Sequence, residues 1–354
     1  MKKNFLIILA MAALAGGCKK DDKNEVPSTD LEKEILYDFA HSLALENYAD
    51  LKSKAAALND AIIALDNQPD NSKLAAARLA WRNVRAPWEQ CEGWLFGPVE
   101  DMSFDPEIDD WPVNHVDLDS LLAGSMTFDV AAIQQLQTTL KGFHPLEYMI
   151  YGNNGNKDAS QLTLREREYM KALSLHLLGV TNQIYQSWEP GQPGNFSNEV
   201  ISAGAGSQVY ASRKDAFIAI VSAMAGICDE VANGKIQDPL VAQDSSLEES
   251  QFSKNSLIDF KNNMIGVGNA YYGKYSSDGK GINDWVASRN IALDNKIAQQ
   301  INAAVNSFDN ITVPFGQAIY SQQVQIANSQ QAINNLMTTL QDELLPFVQN
   351  NMNE

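Results

Sequence analysis

Apolar residues recur at intervals of three and four along most of this chain, which is the period of an α-helix with one buried face. The stripe is clearest at residues 31–48 and again at residues 326–347. Alanine-rich segments at residues 55–64 and 74–80 fit close packing between helices, since alanine is the strongest helix former. Alternating β-branched runs, which would indicate strands, are scarce. The pattern therefore predicts an all-α fold built from helical bundles.

Two interruptions of this helical pattern are similar to each other. The first runs from Phe96-Gly97 to Asp110-Trp111, and the second runs from Tyr272-Gly273 to Asp284-Trp285. They lie about half a chain apart, which indicates either an internal duplication or a coincidence. The Pro/Gly-rich stretch at residues 189–197 forbids a continuous helix. We therefore predict an N-terminal bundle at residues 30–192 and a C-terminal bundle at residues 193–354.

The first residues have the pattern of an export signal. Two lysines precede an apolar run at residues 5–15, which is too short to cross a bilayer of roughly 30 Å as a helix. Two glycines and Cys18 follow, as at the cleavage site of a bacterial lipoprotein. We expect a signal peptide at residues 1–17, lipidation of Cys18 and a tether at residues 18–29. The alternative is an ordinary cleavage site with an incidental cysteine.

A lipidated Cys18 predicts a location in the cell envelope. The chain would itself be an outer-membrane lipoprotein that faces the periplasm or the cell surface. The lipid would be the chain's only contact with the membrane. Partner proteins would then come from the same envelope.

The formal net charge of −18 changes the range of candidate partners. A chain this acidic, without a basic stripe, has no electrostatic attraction to nucleic acid, so we exclude that class of partner. An acidic surface instead raises the local concentration of cations. Besides Cys18 only Cys91 and Cys228 are present, and they are either a disulfide of the oxidising envelope or two buried thiols.

The strongest candidate for chemistry is the segment from Gly142 to Tyr148. Pro145 fits the first turn of a helix, which places His144 at the helix start and Glu147 three residues later, on the same side. An imidazole and a carboxylate so placed can share a divalent ion. The alternative is structural: Glu147 reaches back to the first N–H groups and His144 is a buried capping residue.

A second candidate lies in the Trp/Arg-rich segment at residues 81–98. Glu92 stands there among apolar residues and needs a partner, either Arg85 seven residues earlier or a metal ion. A buried Arg–Glu pair that only braces the bundle is the competing interpretation.

Several common enzyme signatures do not occur in the sequence. It has no His-Glu-x-x-His zinc helix, no Gly-x-Ser-x-Gly elbow and no Gly-Lys-Ser/Thr phosphate loop. It also has no Cys-x-x-Cys-His, so we expect neither a nucleotide cofactor nor covalent haem.

The two candidate segments together resemble the imelysin-like family. Gly142-x-His144-x-x-Glu147 is similar to the family's Gly-x-His-x-x-Glu signature, and residues 81–98 are similar to its Trp/Arg helix and Phe-Gly-Pro turn. The loop at residues 105–112 agrees as well. The resemblance implies two helical bundles, an envelope location, a link to iron uptake and a classification among metallopeptidases.

Carried onto this sequence, the resemblance implies a functional region around His144 and Glu147, with Arg85 and Glu92 as neighbours. We expect the metal ligands to be His144, Glu147 and Glu92, with Arg85 and Gly142 in ligand binding. The cofactor would be iron or zinc, or an iron-bearing ligand.

Two other functions remain open from the sequence. In a metallopeptidase, Glu147 and Glu89 are the candidates for a catalytic base. In a non-catalytic scaffold, the motif would be purely structural and the partner another envelope protein.

Overall fold

The computed structural model describes residues 28–352, and every regular element in that range is a helix. The first half contains α1 (Ser28–Asp38), α2 (Glu46–Asn67), α3 (Asn71–Cys91), α4 (Pro98–Asp101), α5 (Phe104–Asp109), α6 (His115–Ala123), α7 (Val130–Gln134), α8 (Phe143–Tyr151) and α9 (Leu164–Trp188). The second half contains α10 (Phe196–Ile201), α11 (Arg213–Asp229), α12 (Gln237–Ala242), α13 (Ser256–Tyr272), α14 (Ile282–Ala287), α15 (Ile291–Ser307), α16 (Phe315–Ser321), α17 (Gln323–Thr339) and α18 (Leu345–Asn351). Short π-helical segments at Phe39–Leu45, Glu230–Lys235 and Leu340–Leu344 continue α1, α11 and α17. The all-α prediction is confirmed.

The long helices bury their apolar stripes against one another. In the first half α2 packs against both α3 and α9, and in the second half α15 packs against α13 and α17. Four tryptophans of the first half are fully buried: Trp81, Trp88, Trp94 and Trp188. The predicted signal peptide, the lipidation site Cys18 and most of the tether lie outside the described residues. No helix within residues 28–352 is long and apolar enough to span a membrane.

Helix starts follow local capping chemistry. At α9 the Thr163 hydroxyl accepts the N–H of Glu166, whose carboxylate in turn accepts the N–H of Thr163. Ser212 and Asp215 form the same reciprocal pair at α11. Each pair satisfies two N–H groups that the helix itself leaves unpaired.

The two halves meet along α3 and α13, which run parallel. Glu89 contacts Asn263, and Gly93, in the short turn that follows α3, lies against Gly266 one turn further along α13. A Cβ atom on Gly266 would fall 2.2 Å from the carbonyl oxygen of Gln90, so only glycine allows this approach. Side chains of α3 and α13 therefore line one shared interior.

The sequence features that suggested two halves differ in backbone conformation, with ψ −135° at Gly97 and 34° at Gly273. Gly97 and Gly273 both have positive φ, 72° and 66°, but Gly97 directly precedes α4 whereas Gly273 ends α13. Helix α9 stops at Trp188 and α10 starts at Phe196, so the predicted break is present. The duplication and the exact domain boundary stay predictions. Cys91 and Cys228 are buried free thiols, which decides between the two interpretations left open by the sequence.

Candidate metal centre

The turn before α8 places the motif histidine against the end of α5. Gly142 has φ +86°, and a Cβ atom on it would lie 2.1 Å from the carbonyl oxygen of Ile108. Only glycine lets the two backbones come this close. The space that a ligand could have used beside Gly142 is thus taken by the backbone of Ile108, and this contact brings His144 next to Asp109.

His144 faces a different carboxylate with each ring nitrogen. Its side chain is 2% exposed; Nε2 lies 3.0 Å from Oδ1 of Asp109 and 3.8 Å from Oε1 of Glu249. Nδ1 lies 3.5 Å from Oε2 of Glu147. The other Glu147 oxygen accepts the N–H of Ser253 at 2.6 Å, and the N-terminus of α8 has no side-chain cap. The capping interpretation of Glu147 is therefore wrong.

Electrostatics at this contact favour the charged form of both partners. Burial by itself lowers the pKa of His144, but the neighbouring Asp109 and Glu147 carboxylates outweigh it and raise the pKa to about 10. Burial likewise works against ionised Asp109, yet Arg85 and His144 lower the pKa of its carboxyl group. In the metal-free protein His144 is thus an imidazolium.

Arg85 is the cation around which the nearby carboxylates are arranged. Its fully buried guanidinium pairs with Asp109 and Glu89, and its Nη2 donates to Oε1 of Glu249 at 2.8 Å. Its Nε lies 3.7 Å from Oδ1 of Asp259. Arg85 thus joins residues of both halves, and it fixes the orientation of two carboxylates that face His144.

Glu92 has a partner that the sequence did not predict. We expected Arg85 or a metal ion; the structure instead places Nζ of Lys235 at 3.1 Å from Glu92 Oε1, and Asn263 donates to Oε2. The same ammonium lies 3.3 Å from Oε2 of Glu249. Burial raises the pKa of Glu92 to about 8, although Lys235 acts in the opposite direction.

These contacts define a buried carboxylate cluster with more acids than cations. Its acids are Glu89, Glu92, Asp105, Asp109, Glu147, Glu249 and Asp259. Its cations are Arg85, His144 and Lys235. Burial raises the pKa of Asp105 to about 7 and that of Asp259 to about 8. Buried charges require partners, so the cluster needs either protons or additional cations.

The atoms around His144 fit a transition-metal ion. One ligand atom each from Asp109, His144 and Glu249 lies within 4.8 Å of the others. The 3.0 Å between Nε2 and Oδ1 is close to the roughly 3.3 Å that separates two ligands of a tetrahedral ion with bonds of about 2.0 Å. His144 Nε2 is buried and faces Asp109 and Glu249, and Glu249 Oε2 is buried and faces the Lys235 ammonium. One imidazole with carboxylates suits iron or zinc better than magnesium.

A surface cleft adjoins the cluster. Its volume is ≈ 330 Å³, and its lining includes Trp111, Pro112, Glu230 and Lys235. The Lys235 ammonium lies 5.0 Å from the centroid of the Trp111 ring, so it stands between the cleft and Glu92. An ion that enters from solvent would meet this lysine first.

The structure brings some of the sequence-predicted residues together. His144, Glu147, Arg85 and Glu89 all belong to the cluster, but Glu147 faces Nδ1, the nitrogen turned away from Asp109. Glu92 lies on the Lys235 side of the cluster. Which of these residues bind metal stays a prediction.

Sequence reasoning missed three residues that complete the site: Asp109, Lys235 and Glu249. Asp109 is the last residue of α5, in the segment 105–112, whose acidic Trp-Pro ending was a usable signal. Glu249 and Lys235 come from the second half, in segments without a distinctive pattern. Only their distances to Arg85, His144 and Glu92 identify them.

A family model and a known protein each match most of this chain. The imelysin (peptidase M75) family model matches residues 44–344. Iron-regulated protein A of Synechococcus elongatus is 27% identical over 326 residues, which cover 90% of this chain and 87% of that protein.

Two solved structures share the fold. A Parabacteroides distasonis protein assigned as a candidate iron-regulated protein A precursor has a TM-score of 0.82 and 26% identity, with 90% of this chain and 95% of that chain covered. An imelysin-like protein from Psychrobacter arcticum has a TM-score of 0.73 over 90% of this chain and 96% of its own. At 15% identity, this similarity shows a shared fold and nothing more.

Proposed function

Since this chain belongs to the imelysin family, we propose that it is an envelope protein that binds a metal ion, with iron as the first candidate, at His144, Asp109 and Glu249. The observation that carries the proposal is the Nε2 atom of His144. It is buried and faces two carboxylates, Asp109 at 3.0 Å and Glu249 at 3.8 Å.

The surrounding residues support these three ligands. Glu147 faces Nδ1 of His144 and is itself held by the N–H of Ser253, an arrangement that orients a metal-binding imidazole. Arg85 holds Asp109 and Glu249 in place. A bound metal requires neutral His144, so binding releases a proton and strengthens as pH rises.

Iron is favoured by the relatives, two of which carry iron regulation in their names. An iron-bearing ligand is the second form of the same proposal, because three protein ligands leave coordination positions open. The envelope location and the lipid anchor at Cys18 are part of the proposal, and they rest on the sequence of residues 1–18.

A metallopeptidase is less well supported by the geometry. Glu89 pairs with Arg85 through one oxygen and with Asn263 through the other, so its carboxylate is not available as a base. Glu147 is held by Ser253. Casein cleavage that stops with a chelator and in Glu147→Ala would favour the peptidase instead.

Metal affinity tests the proposed function directly. The full chain is purified in detergent, stripped with a chelator and titrated with Fe²⁺ without oxygen, and with Zn²⁺, by calorimetry and native mass spectrometry. We expect binding by the wild type and loss of the His144-dependent ion in His144→Ala and in Glu249→Gln.

The matched control is His176→Ala. His176 is also a buried histidine beside a carboxylate, with Nε2 at 3.5 Å from Glu107, but it lies outside the cluster. Its variant keeps the wild-type affinity. A wild type that binds neither ion, or a His144→Ala variant that binds as the wild type does, contradicts the proposal.

A further inference from the structure

Asp109 belongs to two sets of potential ligand atoms. One set is Asp109, His144 and Glu249; the other is Glu92, Asp105 and Asp109. In each set the ligand atoms lie within 4.8 Å of one another. The two sets share the Asp109 carboxylate. A carboxylate that lies between two neighbouring ions is shared in the same way.

Glu249 faces both sets with its two oxygens. Its Oε1 lies on the side of His144 and Arg85. Its Oε2 lies 3.3 Å from the Lys235 ammonium, which is itself 3.1 Å from Glu92. This Oε2 is buried, and the cation it faces is the Lys235 ammonium. Glu249 and Glu92 are therefore directed at the same point, which the ammonium now occupies.

The Lys235 ammonium occupies the position that a metal cation could take. It is nearly fully buried, and Glu92, Glu249 and Glu230 surround it at 3.1, 3.3 and 3.6 Å. Lys235 also lines the cleft beside Trp111 and follows Gly234 at the end of a π-helical segment. A side chain on such an irregular turn, next to open space, can move outward and leave its carboxylates to another cation.

We propose that the protein binds a second metal cation at Glu92, Asp105 and Asp109, with Asp109 and Glu249 between the two ions and with Lys235 displaced into the cleft. The inference rests on the proposed function, because the first ion at His144 supplies the other half of the pair. The second position offers only oxygen ligands, which suits hard cations such as Mn²⁺ or iron. Shared carboxylates set two ions roughly 3.5–4 Å apart.

The number of bound ions tests the inference, and Mn²⁺ is the probe. The full chain in detergent is loaded with Mn²⁺, and the ions per chain are counted by native mass spectrometry and elemental analysis. We expect two per chain in the wild type and one in Asp105→Asn. Asp105 is suited to substitution because it is only partly buried, and asparagine preserves its shape.

The matched control is Asp110→Asn, which changes the neighbouring carboxylate. Asp110 accepts a hydrogen bond from Thr138 and belongs to neither set, so this variant keeps two ions. Electron paramagnetic resonance adds the distance: the wild type shows two coupled Mn²⁺ ions, and Asp105→Asn shows an isolated ion.

Together with the Fe²⁺ and Zn²⁺ titrations, the number of Mn²⁺ ions per chain distinguishes a failure of the second ion position from a failure of the first. One ion in both the wild type and Asp105→Asn overturns the second position and leaves the first intact. No Mn²⁺ in the wild type overturns the second position, while the first position is decided by the Fe²⁺ and Zn²⁺ titrations. Two ions without magnetic coupling place the second ion elsewhere and also overturn the inference.

Lys235→Met provides an independent test. In this variant the Lys235 ammonium is absent, so the second ion does not have to displace a cation. We expect the affinity for the second ion to increase by about tenfold or more, and the affinity for the first ion to change less. An unchanged or weaker second affinity in a folded Lys235→Met protein contradicts the displacement of Lys235.

Discussion

At the scale of single residues, this protein keeps ionisable groups where burial opposes their charge. Glu92 shows this directly, because its folded pKa is about 8 against an ordinary value of 4.5. The folded protein holds this proton more tightly than the unfolded chain does. The resulting stability is fully present below about pH 4.5 and is lost as pH rises through about 8.

We therefore expect the metal-free protein to lose stability between about pH 5 and pH 8. Urea unfolding in the presence of a chelator, repeated across this range, measures the slope. Glu92→Gln removes the titrating group but keeps an acceptor for Asn263, so its slope is smaller. A variant with the wild-type slope would show that Glu92 does not contribute to the pH dependence.

Glu147 gives a second prediction at the residue scale. Glu147→Gln retains an oxygen for the N–H of Ser253 but replaces the negative carboxylate that faces Nδ1 of His144. Such partners of metal-binding histidines typically change affinity by about 10–100-fold. We expect a loss of that size in Fe²⁺ or Zn²⁺ titrations of the folded variant. An unchanged affinity would exclude Glu147 from orienting the imidazole.

At the scale of elements, one glycine sets the distance between the motif helix α8 and the end of α5. Gly142 combines positive φ with backbone contact to Ile108, so a methyl group there pushes the two elements apart. Asp109 and His144, one on each element, would separate with them.

Gly142→Ala is expected to destabilise the protein by roughly 3–5 kcal/mol and to weaken metal binding. Gly191→Ala is the matched control, because Gly191 has φ +88° but no atom within 4 Å of the added methyl group. In Gly191→Ala only the positive φ is unfavourable, so the free energy of unfolding decreases by roughly 1–2 kcal/mol. Free energies of unfolding in urea compare the two. Equal losses would mean that the contact with Ile108 is not what requires glycine.

The helices themselves were predictable because their signals are local. The 3.6-residue stripe of residues 31–48 and the Pro/Gly break at residues 189–197 need only neighbours in the sequence. The π-helical segment Glu230–Lys235 was not predicted, since it depends on how α11 packs, and it carries the lysine that pairs with Glu92.

At the scale of the whole molecule, the candidate site joins the two halves of the chain. Asp109 and His144 come from the first half, and Lys235 and Glu249 come from the second. An ion held by both would oppose their separation. The proposed envelope location rests instead on residues 1–18, which lie outside the described range.

Cys18→Ser tests the lipid anchor. Serine cannot be lipidated by this route, so we expect the variant to leave the membrane fraction for the soluble fraction of the envelope. Cell fractionation and immunoblotting measure the distribution, and Asp22→Ser, in the same tether, keeps the wild-type pattern. Membrane retention of Cys18→Ser would contradict lipidation at this residue.

The sequence by itself determined the all-α class and the family, and it singled out the Gly142–Glu147 motif, because periodicity and motifs are short-range properties. It also placed Arg85 and Glu92 near that motif by resemblance. The tertiary structure alone decided which carboxylates surround His144. Glu249 is separated from His144 by about one hundred residues, and only the parallel packing of α3 and α13 brings the two halves close enough for their charges to form one cluster.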